Sequence, residues 1–75
     1  MTAMIKYDRL PKSIKLSAYR DGNLHIDAIV DYKSGRVMFE GYIDDEYVPY
    51  SRTQSIIGTA ACINDVLAAR RRSMS

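Results

Sequence analysis

Residues 13–43 carry three runs in which apolar and polar positions alternate, joined by two short glycine-containing turns. Ser13–Arg20 places Ile14, Leu16 and Ala18 on one side. Leu24–Tyr32 follows the turn Asp21-Gly22-Asn23 and places Leu24, Ile26, Ala28, Val30 and Tyr32 on that same side. After Lys33-Ser34-Gly35, Arg36–Asp44 contributes Val37, Phe39, Gly41 and Ile43. A period of two, bounded by Gly, Asp, Asn and Ser, predicts an antiparallel meander with one buried face. The opposite rows read Lys15, Ser17, Tyr19, then His25, Asp27, Ile29, Asp31, then Met38, Glu40, Tyr42. Aromatic, apolar and acidic groups side by side are more than solvation requires.

The period changes after residue 50. Ser51-Arg52-Thr53-Gln54 matches a capping box, in which the serine hydroxyl and the glutamine reach reciprocally for backbone amides. A helix over about 52–71 is predicted, with Ile56, Ala60, Ile63 and Leu67 as its apolar stripe and Thr59 and Val66 beside it. Gly58 and the alanines allow close approach to the sheet, and Arg70, Arg71 and Arg72 suit the negative end of the helix dipole. Before the meander, Ala3–Tyr7 reads as a short edge strand set apart by Pro11. Asp44–Tyr50 reads as a polar connection. The expected fold is a single α+β domain spanning 1–75: an antiparallel three- or four-stranded sheet over about 3–44, packed on one C-terminal helix.

Length and composition narrow the function. A chain of 75 residues has room for one core of marginal stability. The single cysteine, Cys62, cannot form an internal disulfide and reads as a small buried hydrophobe. No apolar run reaches membrane-spanning length and no signal-peptide pattern opens the chain, so a cytoplasmic protein is expected. Eleven basic and nine acidic residues give a net charge of +2, too little to imply nucleic-acid binding by itself.

Catalysis is not expected. His25, the only histidine, reads as a solvated surface residue with no base–nucleophile partner. One His and one Cys offer no metal-ligand spacing, Asp44-Asp45-Glu46 reads as a solvated loop, and the glycines form no phosphate-binding pattern. No cofactor or metal is expected. Protein recognition remains: tyrosines supply rigid contact area with a polar tip, and acids select a basic partner.

Ile5-Lys6-Tyr7, Ile14 leading to Tyr19-Arg20-Asp21-Gly22, and Ile26-Asp27-Ala28-Ile29-Val30-Asp31 resemble the small phage-encoded anti-CRISPR proteins that block the type I-F (Csy/Cascade) surveillance complex. The likeness covers roughly the first half of the chain. Arg20 stands where that family's pattern has an acid, and the first turn is one residue shorter. The resemblance implies a non-enzymatic inhibitor in a bacterial host cell. It would dock on the guide-RNA-binding backbone subunits and hinder target DNA from pairing with the guide. The contacts carried over are Tyr7, Tyr19 and Asp31, with Glu40 and Tyr42 as periphery. A monomer or weak dimer is expected, without direct nucleic-acid contact. Two alternatives stand beside it: a phage or plasmid nucleic-acid-binding module using Arg70–Arg72 with Lys33 and Arg36, and a homodimer formed through the sheet face.

Overall fold

The computed structural model describes residue 4 and residues 6–74. A 3-10 turn at Tyr7–Arg9 precedes β1 (Ile14–Asp21), β2 (Leu24–Asp31), β3 (Arg36–Ile43), a two-residue β4 (Glu46–Tyr47) and α1 (Ile56–Met74). The strands form one antiparallel sheet in the order β1-β2-β3-β4, so the expected meander backed by a C-terminal helix is what the chain adopts. The fourth strand of the described sheet is Glu46–Tyr47. Tyr7 lies in the 3-10 turn, and Ala3 and Ile5 of the anticipated edge strand lie outside the described residues.

Turn chemistry sets the register. Asp21 pairs with Leu24, leaving Gly22-Asn23 as a two-residue loop with positive φ at Gly22 alone. That is the pattern of a type II′ turn, which wants glycine first, rather than of an Asp-Gly type I′ turn. Tyr32–Gly35 closes the second hairpin, with Gly35 at φ 73°. Asp31 Oδ1 accepts from the Lys33 and Ser34 amides at 3.0 and 3.3 Å, an Asx arrangement that stabilises the turn. Strand β2 therefore ends at Asp31, and Tyr32 belongs to the turn rather than to the inner row.

The segment read as a polar connection is a third hairpin. Asp44 and Asp45 both take positive φ, 54° and 63°, as a type I′ loop requires. Asn23 anchors it: its side-chain amide donates to Asp44 Oδ1 at 2.9 Å and its carbonyl accepts from the Asp44 amide at 2.9 Å.

After β4 the chain stays along the free edge of β3. The Val48 amide donates to the Gly41 carbonyl, the Gly41 amide donates to Ser51 Oγ at 2.9 Å, and Thr53 exchanges both backbone bonds with Phe39. Ser51, fully buried, thus fills one rung of the ladder with its hydroxyl and also donates to the Val48 carbonyl at 2.6 Å. The predicted capping box gives way for this reason: Ser51 is committed to the sheet. The helix is capped four residues later, where Ser55 Oγ accepts from the Gly58 amide at 2.8 Å.

The core lies between α1 and the β2–β3 half of the sheet. Ile26, Ile43, Val48 and Ile63 are fully buried, with Leu24, Phe39, Ala60, Val66 and Leu67 packed around them. Thr59, on the same helix face, is completely buried and donates to the Ser51 carbonyl at 2.7 Å. Gly41 lets helix and sheet approach closely: a Cβ there would stand 2.8 Å from the Ile63 side chain. The tight contacts of Gly58 are instead with Thr53 and Ser55 in the capping loop. Cys62 is half-buried rather than buried, its thiol 3.5 Å from the Tyr50 carbonyl.

Candidate functional site

The sheet surface turned away from α1 is built from three cross-strand rows: Lys15–Ile29–Met38, Ser17–Asp27–Glu40, and Arg20–His25–Tyr42–Tyr47. Strand pairing brings together residues up to 27 positions apart, and the side chains of Lys15, His25, Glu40, Tyr42 and Tyr47 form one cluster. His25 and Tyr42 stack with ring centroids 4.6 Å apart and planes 6° from parallel. Tyr47 meets Tyr42 edge-on, with ring centroids 5.9 Å apart. Both arrangements suit the ring quadrupole.

Lys15 crosses over from β1. Its ammonium donates to the Tyr42 hydroxyl at 3.1 Å, lies 5.5 Å from the centre of that ring and stands 3.9 Å from Glu40 Oε1. The Lys15 pKa is raised, first by the hydrogen bond to the Tyr42 hydroxyl and the electrostatic attraction of that group, against desolvation, and then by Glu40 and Asp27. His25 is only 9% exposed, which corrects the expectation of a solvated histidine. Tyr42 covers one face of its ring. Asp27 Oδ2 lies 4.0 Å from Nε2 and Asp45 Oδ1 lies 3.9 Å from Nδ1, contacts that become ion pairs when the imidazole is protonated.

The five sequence-derived contact residues fall in different places. Glu40 and Tyr42 sit at the centre of the outer face. Asp31 stands at its far end, opposite Arg36, with one carboxylate oxygen committed to the turn amides. Tyr7 opens the 3-10 turn, and its side chain lies outside the described residues. Tyr19 is on the other side of the sheet. The register shifts between Ser17 and Tyr19, a β-bulge that pairs Tyr19 with Ile26 and turns Arg20 outward. Tyr19 therefore lines a groove beside α1 rather than the surface that carries Asp31.

His25, Lys15 and Tyr47 are the contributors that sequence reasoning undervalued. Each matters through its partner, and Tyr47 reaches the cluster only because β4 exists. For Tyr19 a signal was present: a two-residue turn pairs Asp21 with Leu24, so counting back from an inward Leu24 puts Tyr19 inward as well.

Chemically this cluster is suited to recognition. Among the described residues no hydroxyl or thiol hydrogen-bonds the imidazole, and no group of three His, Cys, Asp or Glu side chains is arranged to hold a metal ion. Among the same residues no helix is long and apolar enough to cross a membrane. No family model, curated protein or solved structure matches this chain.

Proposed function

We propose that this protein is a non-catalytic binding module that inhibits a larger assembly by occupying its surface, with the outer face of the sheet as the contact. The single observation carrying this reading is the His25–Tyr42–Tyr47 cluster, held by Lys15 and flanked by Asp27 and Glu40. Rigid aromatic groups lose little rotamer freedom on binding, and flanking acids select a basic surface. A surface that lines nucleic acid is basic, which agrees with the target that the anti-CRISPR resemblance implies: the guide-RNA-binding backbone subunits of a type I surveillance complex. On such a target the module would stand where incoming DNA must pair with the guide.

The anchor in this reading is Tyr42, with Glu40 beside it and Asp31 at the periphery; Tyr19 on the opposite side cannot join the same contact. Binding of purified protein to a purified type I-F complex tests it. Tyr42→Ala should weaken affinity by about 2 kcal/mol, roughly 30-fold, as expected for a central aromatic anchor. Unchanged affinity with an intact circular dichroism spectrum removes the outer face from the contact. Failure of the wild-type protein to bind the complex removes this target.

The exposed Arg70, Arg71 and Arg72 near the end of α1 support a second reading, a nucleic-acid-binding module. Affinity for DNA that falls steeply and linearly with salt on a log–log plot would favour it.

A further inference from the structure

The helix side of the sheet is only partly covered. Neighbouring strands lie about 4.8 Å apart and a helix with its side chains is about 10 Å wide, so one helix covers two strands. Helix α1 lies over β3 and β2 and does not reach β1. The inner row of β1 is left open: Ile14, Leu16 and Tyr19 are 45%, 54% and 49% exposed, and Ile57 on the flank of α1 is 79% exposed. Between them runs a groove of about 270 Å³, bounded by Tyr19, Leu24 and Ile26 on the sheet and by Ile56, Ile57 and Ala60 on the helix.

Whole-molecule dimensions agree. The chain exposes 6161 Å², whereas a monomeric protein of its mass exposes roughly 4,650 Å². Burying about half of that surplus on each chain would hide about 1,500 Å² in a pair, the size of a standard specific interface.

We propose that a second copy of this chain covers this face, in a two-fold pair in which α1 of each protomer lies across β1 of the other. The chain carries both halves of the contact, an uncovered strand row and a helix with an unused apolar flank. A two-fold axis matches each to the other twice. No charged side chain lines the groove, so covering it buries no charge there. The edges of the sheet point the same way: residues 46–53 close the β3 edge, while among the described residues no strand pairs with the outer edge of β1. With four fully buried hydrophobic residues among those described, the second copy would complete the core rather than decorate it. The outer face stays open in such a pair, so this proposal stands apart from the functional reading above.

Sedimentation equilibrium of the full chain, with thermal melts at several protein concentrations, tests it. The expected mass is about 17 kDa, twice the 8.5 kDa chain, with a Tm that rises with concentration. Ile57→Glu should lower the mass to that of one chain or unfold the protein. Either result supports the pair when the wild type is dimeric, because an exposed position on the helix of a monomer tolerates glutamate. A single-chain mass at every concentration overturns the proposal. So does a dimer that survives both Ile57→Glu and Leu16→Glu, or an assembly larger than two chains. Loss of target binding in Tyr42→Ala with the dimer mass retained would bear on the outer face alone.

Discussion

Replacing Ser51 by alanine should be among the most damaging small changes in this protein. The serine is fully buried, and its hydroxyl both accepts from the Gly41 amide at 2.9 Å and donates to the Val48 carbonyl at 2.6 Å. Alanine leaves the Gly41 amide in the interior without an acceptor, which costs about 1–3 kcal/mol. The Val48 carbonyl fares better, because it keeps the Ser51 amide at 3.1 Å and loses only its shorter donor. The sum is about 2–3 kcal/mol, against a total stability of roughly 4–11 kcal/mol for a domain of this length. At about 4–8 °C per kcal/mol, Tm should fall by about 8–24 °C. Urea and thermal unfolding followed by circular dichroism, at one fixed protein concentration, would measure it. Thr59→Val is the companion, since the Thr59 hydroxyl donates to the Ser51 carbonyl at 2.7 Å. The two substitutions should be non-additive in a double-mutant cycle. A Ser51→Ala loss below about 0.5 kcal/mol would mean that the hydroxyl is not a rung of the sheet, and the account of the β3 edge would fail.

Further outcomes follow from the same geometry. Gly41→Ala should destabilise by about 1–3 kcal/mol, because its methyl would stand 2.8 Å from Ile63 and force helix and sheet apart; an unchanged urea midpoint contradicts that contact. Tyr32→Phe should be neutral or raise the urea midpoint, since the Tyr32 hydroxyl is buried with no hydrogen-bond partner; a clear loss of stability would reveal a partner in solution. Lys15 has a raised pKa in the folded state, so its stabilising effect is complete below the unfolded lysine value and fades as pH climbs through the folded one. Comparing Lys15→Met with wild type should therefore show a stability gap that is flat at neutral pH and narrows only in the alkaline range above about 10.4; a gap that widens there reverses the sign.

Much of the fold is legible in the chain because it rests on local periodicity. The alternation over Leu24–Val30 and Val37–Ile43 gave the right inner rows, since side-chain direction in a regular strand depends only on counting by twos. Gly22 and Gly35 mark the turns because positive φ is inexpensive only for glycine. The helix stripe was equally clear, and Ile63 is indeed its most buried aliphatic residue. On the outer face the same counting brought Glu40 and Tyr42 together.

What tertiary structure decided lies where a residue serves two partners at once. The pattern Ser51-x-x-Gln54 offered Ser51 to a helix N-terminus, yet the unfilled rung beside Gly41 claimed its hydroxyl first. A buried amide without an acceptor costs more than a helix start displaced to Ser55. Tyr19 alternates outward by position, but the β-bulge that lets β1 meet the turn at Asp21 carries it to the helix side. His25 looked solvated until Tyr42, 17 residues later, supplied the ring that covers it. The sequence by itself specified which positions face inward along β2 and β3 and where the chain reverses, because those depend on neighbours a few residues away. Which surface holds each tyrosine, and how much of the sheet one helix can cover, depended on bulges, borrowed hydroxyls and widths that arise only when distant segments meet.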